Sequence, residues 1–139
     1  MHKIIEELRS CPKALAWTYI LLYFIAGNVM NEFGKLAKIA QFKYHWQVFT
    51  VYVVYLAPIS IACRRSPAWL QYLFGLAALA PIELVGYRLG SSVAFDGNII
   101  DELLGPRNFT LAMTVFFAVY IPLGNWAANA IHRMRTAKS

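Results

Sequence analysis

The sequence predicts an all-α integral membrane protein, a four-transmembrane-helix bundle with short interfacial helices. Three observations predict it. The chain of 139 residues is 59% hydrophobic and only 14% charged, whereas a soluble domain of that size needs a charged shell. Residues 14–31, 46–63 and 108–131 carry no charge, and residues 66–87 carry a single carboxylate, Glu83. A helix rising about 1.5 Å per residue crosses the roughly 30 Å of bilayer hydrocarbon in segments of this length. Basic residues gather at the ends of these segments, where phospholipid headgroups lie. One domain, residues 1–139, is expected.

Taken in order, residues 1–12 place Ile4, Ile5 and Leu8 on one helical face, with Lys3, Glu6, Glu7 and Arg9 around the others and Pro12 as a stop. That pattern predicts a short interfacial helix. The first span, 14–31, lacks a small-x-small cleavage pattern, and Asn28 and Asn31 interrupt its apolar end. It therefore reads as an uncleaved helix and not as a signal peptide. In the connection NEFGKLAKIAQFKYHW, Phe33, Leu36, Ala37, Ala40 and Tyr44 share one helical face, and Lys35, Lys38 and Gln41 share the other. An amphipathic helix lying on the membrane is predicted there.

Only Arg64, Arg65 and Ser66 separate the second span from the third, which predicts a tight antiparallel hairpin with its arginines at the headgroups. In the second long connection, Asp96, Gly97 and Asn98 supply a turn and an N-cap, Asp101 and Glu102 fall in a first helical turn, and Gly105 with Pro106 ends it. Ile99, Ile100, Leu103 and Leu104 then dip into the interface or the bundle. Pro58, Pro81 and Pro122 lie inside three spans and predict kinks around a shaped interior. Trp17 and Tyr19, Tyr44 and Trp46, Trp69 and Tyr72, and Trp126 read as interfacial belt anchors.

The net charge of +6 has its cause in orientation. Lys3, Arg9, Lys13, Arg64, Arg65, Arg133, Arg135 and Lys138 fall on one side; Lys35, Lys38, Lys43, Arg88 and Arg107 fall on the other. The excess places both termini in the cytoplasm. A bacterial inner membrane is the simplest compartment. No basic stripe carries interleaved exposed aromatics, so nucleic acid is not an expected partner. Cys11 and Cys63 show no CxxC spacing and read as two free thiols; no metal site and no cofactor is expected.

Glu83 is the most informative residue. A carboxylate in an apolar segment has to be paired or protonated, and Arg88, Asn28, His45 or Arg107 are candidate partners. The topology brings these residues, together with Asp101 and Glu102, to one boundary, the polar-site candidate of the chain. It combines acids and bases with two arginines suited to phosphate or carboxylate. At the other boundary Asn125 and Asn129, four residues apart beside Gly124, read as a close helix contact with amide hydrogen bonds.

Three function classes fit. The first is an accessory or interaction subunit that meets membrane lipids and another membrane protein, or itself as a homo-oligomer. The second is a small homo-oligomeric proton-coupled transporter or channel using Glu83. The third is a membrane-embedded lipid-modifying enzyme with an outer-face polar site. In size and helix number the chain is similar to the small multidrug exporters, but their functional carboxylate lies in the first helix and this first span has none.

Overall fold

Two of the long helices begin directly after a proline, whose fixed φ suits the residue before a helix and whose missing N–H is not needed there. Pro12 opens α2, Lys13–Leu36, and Pro67 opens α5, Ala68–Arg88. The computed structural model describes all residues, Met1–Ser139. Ahead of α2 lies the short α1, His2–Arg9. A second long segment, His45–Ala62, is built from α3 (His45–Phe49), a π-helical stretch (Thr50–Leu56) and α4 (Ala57–Ala62). The fourth, Pro106–Ala137, comprises a 3-10 turn (Pro106–Asn108), α7 (Phe109–Phe117) and α8 (Tyr120–Ala137). These four segments are long and apolar enough to cross a membrane.

The prolines act where the sequence placed them, each in its own way. Ahead of Pro58 the turns widen, and the Ala57 N–H bonds the carbonyl of Tyr52 five residues back. A wide turn of this kind absorbs the missing proline donor without ending the helix. Pro122 withdraws the N–H that the Ala118 carbonyl would otherwise accept, and Ile121 N takes that oxygen at 3.3 Å instead. The fourth segment consequently breaks at Ala118 and Val119, between α7 and α8. Pro81 stays inside a continuous α5.

Helix α2 packs on α8, on the π-helical stretch and on α4, and α5 packs on both α7 and α8. Tyr19, Tyr23, Leu56 and Ile121 fill the centre. Large apolar side chains such as Leu21, Ile25, Leu73, Leu84, Leu111 and Leu123 face outward.

The first long connection corrects the expectation of an amphipathic surface helix. Helix α2 continues past Asn31 to Leu36, Lys38 turns the chain with a φ of 53°, and Ala40–Phe42 forms a strand, β1. It pairs antiparallel with β2, Ser92–Ala94, in the register Ala40 to Ala94 and Phe42 to Ser92. The physical reason lies in α2 itself. Asn31 Oδ1 accepts the Phe42 N–H at 2.9 Å, and the missing side chain of Gly34 lets the Ala40 carbonyl press against the helix. The chain therefore folds back along α2. This ribbon ties both long connections to one end of the molecule, called here the ribbon end.

Beyond β2, α6 (Ile99–Leu104) is capped as expected: Asn98 Oδ1 accepts from Ile100 N at 3.1 Å and Asp101 N at 3.0 Å, and Gly105 ends it at φ 85°. Asn98→Ala should weaken α6 by about 1 kcal/mol. Deuterium exchange should then quicken at Ile100 and Asp101 and stay unchanged in α5.

At the opposite end, which holds both termini, the hairpin arginines do not stand free. Arg64 Nη1 meets Glu7 Oε2 at 3.3 Å and Arg65 Nη1 meets Glu7 Oε1 at 3.2 Å, docking the polar face of α1 on the turn after α4. Ile4, Ile5 and Leu8 are left facing outward. Both cysteines are free, and burial pushes the Cys11 thiol pKa above its ordinary value.

Candidate functional site

On α5, Gly75, Leu79, Glu83 and Tyr87 recur every fourth residue and so share one stripe. Gly75 and Leu79 are buried, and Leu79, Glu83 and Tyr87 line a cavity of about 530 Å³ at the ribbon end. Its other walls come from the end of α2, the ribbon, the π-helical stretch, α6 and α7. Of the 25 lining residues 20 are hydrophobic, and Glu83 is the single charged one. Tyr52, Tyr87 and Tyr120 supply phenol groups; Asn31, Gln41 and Ser92 supply the remaining polarity. A volume of this order, apolar with few polar groups, is the usual form of a small-molecule pocket.

The pairing expected for Glu83 is not made: the two ion pairs of the molecule both belong to Glu7, and no side chain bonds the Glu83 carboxylate. The other proposed site residues share the ribbon end but do not line the cavity. Asn28 turns its amide to its own helix, donating to the Phe24 carbonyl at 2.8 Å. His45, Arg88, Glu102 and Arg107 are exposed. Asp101 Oδ2 accepts from Asn98 Nδ2 at 3.0 Å, while its Oδ1 is buried without a partner. No three His, Cys, Asp or Glu side chains come together in a metal-holding group. What α6 does bring is apolar: Ile99, Ile100, Leu103 and Leu104 all line the cavity.

Sequence reasoning missed Tyr52 and Tyr87. Tyr87 was open to detection, four residues after Glu83 on the same helix face. Tyr52 carried no such signal, because its place depends on Gly27 of α2, where an added Cβ would fall 2.6 Å from the Tyr52 ring.

Beneath the cavity, a hydrogen-bonded network joins all four long segments. Asn125 Oδ1 accepts from the Tyr19 hydroxyl at 2.7 Å and from Ser60 Oγ at 3.1 Å, and its Nδ2 donates to Gln71 Oε1 at 2.9 Å. Tyr23 donates to Ser60 Oγ at 2.7 Å. The belt role expected for Tyr19 is overturned here, since its side chain is 0% exposed. Trp17, Trp46, Trp69 and Trp126 do face outward. Gly124 lets the Tyr23 ring lie against α8, and Asn129 Nδ2 turns to the Asn125 carbonyl at 2.8 Å.

No family model, curated protein or solved structure matches the chain.

Proposed function

We propose that the chain is a four-span membrane protein of a bacterial inner membrane, a helix bundle with both termini in the cytoplasm, and that it carries a cationic amphiphile in exchange for a proton at Glu83. The observation that carries this reading is a lone carboxylate, the single charged group on the wall of a largely apolar cavity of about 530 Å³. A carboxylate in such surroundings is satisfied by a proton or by a cation, and no side chain of the chain supplies the cation. Proton and cationic ligand then compete for one group, which is the elementary condition for exchange. The apolar walls suit a hydrophobic body, and the tyrosine rings suit an organic cation.

The residues expected to serve a lipid-modifying enzyme beside Glu83, namely Asp101 or Glu102 as acid or base and Arg88 or Arg107 for a headgroup, are not among the cavity-lining residues. The accessory-subunit reading draws on the same outward-facing apolar surface that lipid covers, so the fold adds nothing to it.

Tetraphenylphosphonium uptake into proteoliposomes tests the proposal. Wild-type protein should accumulate the cation when a proton gradient is imposed. Glu83→Gln should lose that uptake, and cation binding in detergent should weaken more than tenfold, with thermal stability unchanged. Arg88→Gln, altering an exposed residue outside the cavity, should leave both intact. Equal uptake by wild type and Glu83→Gln would sink the reading.

A further inference from the structure

At the end that holds both termini, a second cavity of about 320 Å³ opens between α8 and the start of α5. Its character is the reverse of the first, since only 3 of its 9 lining residues are hydrophobic. Asn125, Asn129 and Arg133 recur every fourth residue and form one wall from a single face of α8. Across from them lie Gln71 of α5 and Arg64 of the turn after α4. Nothing in the proposal for Glu83 uses this place.

Arg64 is held rigidly and is not consumed. Its side chain is 7% exposed; Nη1 donates to the carbonyls of Glu7 at 2.6 Å and Ile61 at 3.1 Å, and Nη2 to Ser10 Oγ at 3.0 Å. A guanidinium carries five N–H groups. Those bonds and the 3.3 Å contact of Nη1 with Glu7 Oε2 use at most four, leaving at least one for a ligand in the cavity that Arg64 lines. Arg133 makes no ion pair at all. Ala68, the first residue of α5, also borders the cavity, and the first N–H groups of a helix lack acceptors within it. The local carboxylate, Glu7, is shared between Arg64 and Arg65, so positive charge is in excess.

We propose that this cavity binds the phosphate of an anionic phospholipid, gripped between Arg64 and Arg133. Arg64 and Arg133 come from different segments and both line this polar space, an arrangement that suits a tetrahedral oxyanion. Asn129 spends its amide nitrogen on the Asn125 carbonyl and keeps its oxygen free to accept from a headgroup hydroxyl. Trp126 marks where the acyl chains leave: it lines the cavity yet is 71% exposed, next to outward-facing Leu123 on the same helix. A basic pocket between helices at this boundary is a setting in which anionic headgroups bind.

The test is native mass spectrometry of the full chain released from nanodiscs containing equal phosphatidylglycerol and phosphatidylcholine. The wild type should retain one phosphatidylglycerol and about tenfold less phosphatidylcholine, whose phosphate is the same but whose trimethylammonium brings a third positive charge beside Arg64 and Arg133. Arg133→Ala should reduce phosphatidylglycerol retention about tenfold, and Arg133→Lys should restore part of it. Arg135→Ala removes an equal charge from an exposed residue of the same helix that lies outside the cavity and makes no ion pair, and should leave retention unchanged. Equal retention of the two lipids, or equal losses in Arg135→Ala and Arg133→Ala, would overturn the site. Displacement of the lipid by millimolar inorganic phosphate would overturn the lipid assignment in favour of a free anion.

Discussion

Asn125→Ala is expected to cost about 2–3 kcal/mol of stability, more than the loss of any other polar side chain. A hydrogen bond between membrane helices contributes on average only about 0.6 kcal/mol, but Asn125 alone bonds side chains from each of the three other segments, among them Tyr19, Ser60 and Gln71. Its removal strands the Tyr19 hydroxyl, which has no other acceptor within reach, and frees Gln71 Oε1. Stranded buried groups cost roughly 1–3 kcal/mol each. Ser60 is partly protected, because its hydroxyl also lies 3.4 Å from the Ile121 carbonyl. Asn129→Ala supplies the contrast: that amide bonds only its own helix, so the change should stay within about 0.5 kcal/mol. Reversible unfolding in mixed micelles measures both, and equal losses would show that the network does not hold the segments together.

The same network marks the limit of what the sequence could reveal. Charge-free length located all four long segments, because that pattern is local: expected 46–63 became His45–Ala62, and expected 66–87 became Ala68–Arg88. The cap of α6 was legible for the same reason, since Asn98 bonds the N–H groups of residues two and three positions on. Tyr19 was not legible. Its place near Trp17 suggests an interfacial pair, and only the arrival of Asn125 from 106 residues away makes it a core residue. The β1–β2 ribbon failed by the same logic. Lys35, Lys38 and Gln41 keep a helical period, yet the strand is selected by a partner about fifty residues on and by the smallness of Gly34. Glu83 stood out by its charge, while the emptiness around it depends on α6 and α7 closing over the cavity.

The other large effect concerns Gly75→Ala, for which a net loss of about 1–2 kcal/mol is expected. An added Cβ would lie 2.6 Å from the Ala118 carbonyl oxygen and 3.0 Å from its Cα. These atoms belong to backbone, so no side-chain rotation relieves the contact and α5 must move away from the break between α7 and α8. Overpacking of this kind costs roughly 1–3 kcal/mol, offset by up to about 1 kcal/mol of helix propensity. Gly86→Ala on the same helix meets only the Ser91 and Ser92 hydroxyls, both at 3.4 Å, and should be neutral or slightly stabilising. The consequence reaches the cavity. Leu79 and Glu83 lie one and two turns beyond Gly75 on its own stripe and line the cavity together with Met113 and Phe117 of α7, on which α5 packs. Forcing α5 outward at Gly75 therefore widens the gap beside Glu83. In the proposed carrier, Gly75→Ala should weaken tetraphenylphosphonium binding several-fold while Gly86→Ala leaves it unchanged. A Gly75→Ala protein with wild-type stability and wild-type binding would mean that the approach of α5 to Ala118 does not set the shape of the cavity.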